Sequence, residues 1–214
     1  MTTGKNIILC GTCKKQDCKR DYPDGIPAWC EASQFHEILD DAKTKYAEPQ
    51  NRDIYVASGA VVRNGYGKWP RVQEAIEFAK ELKVQKVGLV SCLALINEMQ
   101  TVSQLFSGAG FEVVSSACQI GRVKPEDRGF KLEHKDYHGL MCNPITQAEI
   151  CNAAGTELNY IIGLCLGHDI LFQRHSKAPS SVLIVKDRVT GHNPVVVLYA
   201  DGLRKSLFDT YCRK

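Results

Sequence analysis

The sequence predicts an α/β protein of Rossmann-like, three-layer α/β/α architecture with a parallel sheet, preceded by a small N-terminal cysteine-rich metal knuckle. Three observations carry that expectation. Short, nearly continuous apolar runs alternate with amphipathic helical stretches, the pattern of strands buried on both faces. Cys92, Cys118 and Cys165 each close one of these runs. Four of the ten cysteines, Cys10, Cys13, Cys18 and Cys30, crowd the first 30 of 214 residues. The natural division is therefore 1–30 as a metal-binding segment and 31–214 as the α/β domain.

Residues 1–30 open on the short apolar run Ile7, Ile8, Leu9, after which Pro23, Gly25 and Pro27 keep the chain out of regular structure. From Glu31 the period becomes helical, with Phe35, Ile38, Leu39, Ala42 and Tyr46 on one stripe expected to face a core. Pro49 is expected to end that helix. A second helix, about 52–63, carries Ile54, Ala57 and Val61, and Asn64-Gly65-Tyr66-Gly67 stops it. Pro70 opens a third, in which Val72, Ala75, Ile76, Ala79 and Leu82 repeat the spacing.

The first strand is then Lys86 to Cys92. A helix with Leu95, Met99, Val102 and Phe106 follows, and a Gly108-Ala109-Gly110 turn leads into the strand Phe111 to Ala117, closed by Cys118. After a polar loop, roughly 119–143, Pro144 starts another helix; Leu158 to Leu164 is a strand ending at Cys165, and Ser181 to Val185 is the last. Asn193-Pro194 reads as a cap and first residue of a further helix.

Composition excludes several functions. A net charge of +3 with interspersed signs provides no basic stripe for nucleic acid. No apolar stretch approaches a membrane span or a signal-peptide core, so the cytoplasm is the expected location. Cysteines are more useful there as metal ligands or redox groups than as structural disulfides. No glycine-rich phosphate fingerprint follows any strand. The partner expected is a small-molecule substrate or a redox protein, and the sequence is silent on oligomeric state.

Ligands of open parallel sheets bind outside the carboxyl ends of the strands. Cys92, Cys118 and Cys165 would share that edge, where three thiolates can hold a 4Fe-4S cluster and leave one iron open for chemistry. Any one of them alone reads as a small buried hydrophobe; three at equivalent strand ends favour metal. Cys142 returns to the same edge: as a fourth ligand it would close the site into an electron carrier or structural zinc, and left free it would be a nucleophile or proton donor. Cys151 and Cys212 read as structural. The N-terminal four, spaced as C-x2-C and then by four and eleven residues, suit a second cluster or zinc.

Polar candidates surround this edge. His168, Lys186 and His192 are the expected proton donors or substrate holders, and Asp169, Arg188 and Asn193 the expected contacts to a small anionic substrate. The bland readings are a hydrogen-bonded loop histidine at 168, an Asp187–Arg188 surface pair, and Asn193 as a cap.

At Cys10-Gly11-Thr12-Cys13, Gly110-Phe111-Glu112-Val113, Cys142-Asn143-Pro144-Ile145, Gly163-Leu164-Cys165-Leu166-Gly167-His168-Asp169, Lys186-Asp187-Arg188-Val189 and His192-Asn193-Pro194, the chain resembles an uncharacterised cysteine-rich metal-binding domain-of-unknown-function family of bacteria and archaea. The resemblance implies metal binding through the matching cysteines, Cys142 among them, and no particular reaction. More distantly, three strand-end cysteines look like the site geometry of quinolinate synthase, the diphthamide radical enzymes and thiouracil desulfidases. The expectation is thus an iron–sulfur protein, an oxidoreductase or lyase activating a small anion. A redox carrier or metal chaperone and a zinc-tied binding domain are the alternatives.

Overall fold

The computed structural model describes residues 10–15, 18, 20, 25–128 and 139–212. The expected extended start at Ile7–Leu9, Pro23 and the middle of the 119–143 loop lie outside them. The chain falls into two compact units, residues 1–59 and 60–214, the division falling inside one helix. None of the described helices is long and apolar enough to cross a membrane.

The first unit contains 3-10 turns at Cys10–Thr12 and Glu31–Phe35, helix α1 (His36–Tyr46) and the start of α2 (Pro49–Gly65). The helical stripe read from 35–46 forms, but it does not enter a core: no α1 residue is buried, and Ile38 is 63% exposed. Among the described residues of this unit there is no strand for the stripe to lie against, and a lone helix pair covers only part of each face. Tyr46 instead meets Tyr55 edge-on, with ring centroids 5.1 Å apart. Pro49 both follows the end of α1 and begins α2, since a proline at the first helical position gives up only a donor that has no partner there.

The second unit is the expected α/β body. Its elements are α3 (Arg71–Glu81), β1 (Lys86–Ser91), α4 (Ile96–Gly108), β2 (Glu112–Ala117), α5 (Pro144–Ala154), β3 (Leu158–Ile162), α6 (His168–His175), β4 (Ser180–Ile184), α7 (Val196–Tyr199) and α8 (Asp201–Tyr211). The four strands are parallel in the order β2-β1-β3-β4. β1 and β3 are central and buried almost throughout, whereas β2 is an edge strand with Ser116 as its one buried residue.

Side-chain alternation along β3 defines the layers. Tyr160 points to one face, where its hydroxyl donates to the Ala75 carbonyl of α3 at 2.7 Å and its ring lies 5.3 Å from that of Phe106 in α4. Asn159 points to the other, where its amide donates to Ser176 beyond α6. β1 runs out to β2 and the chain then returns past it to β3, so right-handed crossovers put α4 on one face and α5 with α6 on the other.

Gly88 in β1 makes the second packing possible. A Cβ there would lie 2.0 Å from Asn159 Oδ1 and 2.9 Å from Cys151 Sγ. Cys151 itself is buried, and burial pushes its thiol up to about 11, so it is the structural cysteine expected. Gly88→Ala is expected to lower stability by about 1–3 kcal/mol through overpacking; an unchanged urea midpoint would show that Asn159 can step aside.

The C-terminal region departs from expectation. Asn193 caps no α-helix: its carbonyl accepts the Val196 N–H at 3.1 Å in a turn, and α7 starts after Val195. The fixed φ of Pro194 serves a turn as well as a helix. The sequence reading assigned no element to α8, whose residues are all unburied.

Candidate metal centre at the sheet edge

In the order β2-β1-β3-β4 the crossover direction reverses between β1 and β3, which places the ligand crevice at the C-terminal ends of those two strands. Cys92 directly follows β1, Cys118 directly follows β2, and Cys165 lies three residues beyond β3. Cys142 comes back to the same edge two residues before Pro144, the first residue of α5. The loop after β4 supplies Lys186 and Arg188.

The loops are built to hold these positions. The Asn143 N–H donates to the Cys118 carbonyl at 2.6 Å and its side-chain amide to the Ile120 carbonyl at 3.2 Å, so the segment bearing Cys142 is pinned to the segment bearing Cys118. Gly163 turns the chain after β3 with φ +60°, and a Cβ there would come within 2.7 Å of the Leu95 side chain; glycine allows both the conformation and the approach.

The sulfurs meet. Cys118 Sγ is 4.0 Å from Cys92 Sγ and 3.7 Å from Cys142 Sγ, and it accepts the Leu93 N–H at 3.3 Å. Cys92 and Cys118 are buried; Cys142 and Cys165 are half-buried. Two cations face the group: Lys186 Nζ donates to Cys92 Sγ, and an Arg188 guanidinium nitrogen lies 3.5 Å from Cys165 Sγ.

Electrostatics divide the central pair. The hydrogen bond with Cys118 and, secondarily, the Lys186 charge hold Cys142 down to about 7 against burial and the neighbouring Cys165 and Cys92 sulfurs. Cys118 is pushed well up by the same contact and by burial, with the Leu93 N–H opposing. His168 begins α6 three residues after Cys165; burial pulls its imidazole below the usual value, Asp169 opposes, and Lys186 adds to the lowering.

The remaining sequence candidates serve the loops. His192 Nδ1 accepts the Asp187 N–H at 3.1 Å, and Asp187 Oδ1 accepts the Val189 and Thr190 N–H groups, so Asp187 closes its own turn. Asp169 Oδ1 accepts the N–H groups of Gly167 and Ile170. Asn193 is exposed.

In the first unit, Cys10 and Cys13 share a turn through a Cys13 N–H to Cys10 carbonyl bond of 3.2 Å. Cys18 and Cys30 line a cleft of about 330 Å³ with Arg20 and Trp29. Among the described residues, no set of three or more Cys, His, Asp or Glu side chains stands ready-made around a metal position. The edge thiols nonetheless suit a metal by chemistry: four deprotonatable sulfurs, one backbone N–H aimed at a sulfur, and two cations against thiolate charge.

Sequence reasoning missed Gln147. It lies in the first turns of α5, is fully buried, and donates from Nε2 to the Ser91 carbonyl at 3.2 Å and the Ser116 carbonyl at 2.8 Å. A glutamine five residues after a candidate ligand, in the first turns of the helix that follows it, was the available signal.

Fold and site together define a cysteine-rich, parallel-sheet α/β protein with the thiols of Cys92, Cys118 and Cys142 gathered at the sheet edge. The chain belongs to the DUF1847 family, described as proteins of unknown function, whose model matches residues 30–183. It is 38% identical over 204 residues to an uncharacterised protein of Methanocaldococcus jannaschii, an alignment covering 95% of this chain and 96% of that one. The matched family region takes in all four edge cysteines and Cys30, and stops short of Lys186 and Arg188. The resemblance read from the motifs is thus to a family of unknown function, and the family description names no metal and no reaction.

Proposed function

We propose that this is a metal-binding protein whose principal centre is a closed four-thiolate site formed by Cys92, Cys118, Cys142 and Cys165. The observation that carries the reading is the pair of sulfur separations, 4.0 and 3.7 Å, among thiols that follow β1, follow β2 and precede α5. An ion holding thiolates tetrahedrally at about 2.3 Å sets them about 3.8 Å apart. That spacing supports a single zinc-like ion over the four-iron cluster expected from sequence. It also supports Cys142 as a ligand, and four thiolates leave no open position for substrate. Lys186 and Arg188 would offset the net negative charge of such a centre, as outer-shell groups do. Cys10, Cys13, Cys18 and Cys30 are proposed as a separate metal set.

The enzymatic version of the proposal, a 4Fe-4S cluster with an open iron, requires Cys142 outside the ligand set and gives His168 and Lys186 the proton-handling roles. Elemental analysis of anaerobically purified full-length protein separates the two. The closed site predicts about one zinc per chain that is lost in Cys142→Ser. Iron and sulfide that survive Cys142→Ser and are lost in Cys118→Ser would replace it with the open cluster. Metal content indifferent to both Cys142→Ser and Cys118→Ser would overturn a metal centre at this edge.

A second reading, a dithiol redox pair, is favoured by the depressed Cys142 thiol beside Cys118. Oxidation would join the two sulfurs and release two protons and two electrons to an acceptor protein. Tryptic mass mapping after mild oxidation of metal-free protein would show a 118–142 disulfide, and exclusive disulfides elsewhere would remove this reading.

A further inference from the structure

We propose that Gln147 is a positioning residue for the thiol centre, fastening together the three elements that carry Cys92, Cys118 and Cys142. The inference rests on the metal-centre reading above. Each end of its connections is next to a ligand. Ser91 immediately precedes Cys92, and Ser116 lies two residues before Cys118; both offer their carbonyls to the Gln147 amide, at 3.2 and 2.8 Å. Gln147 itself sits one turn into α5, whose N-terminus follows Cys142 and Asn143.

The β1–β2 pairing ends at Ser91 and Ala117. Beyond that point no strand ladder fixes the spacing of the two chains, and it is there that the sulfurs must be held about one ligand-to-ligand distance apart. One planar amide with two N–H donors, bound to one carbonyl from each strand, sets that spacing. Because the amide belongs to α5, the same group also sets the depth at which Cys142 approaches. Both acceptors being carbonyls, the amide orientation is determined: a flipped side chain would oppose oxygen to oxygen. Gln147 Oε1 meets no donor among the described residues, and the residue is fully buried, so an apolar side chain of equal size would avoid a desolvation penalty. What it would lack is the bridge.

The test uses full-length Gln147→Met, which keeps the volume and removes both donors. Should that chain not fold, Gln147→Ala, which leaves room for water at both carbonyls, takes its place. Zinc affinity at the edge, read by chelator competition, is expected to weaken about ten- to hundredfold, with an altered sulfur-to-metal charge-transfer spectrum in the cobalt-substituted protein. A residue that serves the fold alone would lower the stability of metal-free and metal-loaded protein equally and leave affinity and spectrum unchanged; that result overturns the proposal. If wild type binds no metal at the edge, the metal reading falls by itself. Gln147 is then judged with phenylarsine oxide, which joins two neighbouring thiols and releases water. Capture about tenfold weaker in the variant upholds the positioning role, and equal capture ends it.

Discussion

Phe106→Ala is expected to destabilise the α/β unit by about 3–5 kcal/mol. Phe106 comes from α4, is fully buried, and lies with its ring centroid 5.7 Å from that of Phe111 and 5.3 Å from that of Tyr160. It therefore joins three parts of the fold: the helix after β1, the entry to β2, and the central strand β3. Truncation would remove both ring contacts and leave a cavity bounded by Met99, Val102 and the sheet core, which a parallel sheet with both neighbours fixed cannot collapse to fill. Urea denaturation with an unchanged slope is the measurement. A loss below about 1 kcal/mol would mean that the helix slides inward to close the gap.

The same residue shows what the sequence made legible. Leu95, Met99, Val102 and Phe106 fall at i, i+4, i+7 and i+11, the spacing of one helical face, and all four are buried, because a sheet lies beneath them. An equally regular stripe at 35–46 failed to predict burial, since periodicity states which residues share a face and not whether anything covers it. Strand ends were readable for a related reason. A cysteine closing an apolar run must fall at the C-terminal edge once all strands are parallel, and that topology placed Cys92, Cys118 and Cys165 without any distance being known.

Pairing and charge were less legible. Cys142 could be placed near the edge, but its choice between ligand and bystander depends on the Asn143 bonds to Cys118 and Ile120, which join residues more than twenty positions apart. His192 and Asp169 carry the right chemistry for a site and are spent on their own turns. Gln147 carries none of the usual signals, because its partners are backbone carbonyls that every residue possesses. Position at a strand end thus placed the edge cysteines, while the groups that arrange them emerge only from the hydrogen bonds.

Lys186 offers the sharpest electrostatic test of the proposed centre. Its ammonium donates to Cys92 Sγ, and its charge also acts on Cys142 and His168, so it acts on several elements of the site at once. Metal binding requires the thiols to lose their protons, and a positive charge in half-buried surroundings favours that loss more than the same charge in bulk water would. Lys186→Gln keeps most of the side-chain length and a donor, and is expected to weaken zinc binding about ten- to hundredfold. Lys186→Glu places a carboxylate against thiolates and is expected to yield protein without metal at the edge after dialysis. The contrast with Arg188 is informative, because Arg188 is exposed and its guanidinium lies 3.5 Å from Cys165 Sγ; added salt should weaken its contribution and leave that of Lys186 largely intact. Chelator competition on Lys186→Gln, Lys186→Glu and Arg188→Gln at low and high ionic strength measures both effects. Equal affinities for Lys186→Glu and wild type would show that the cation merely neighbours the sulfurs and takes no part in holding their charge.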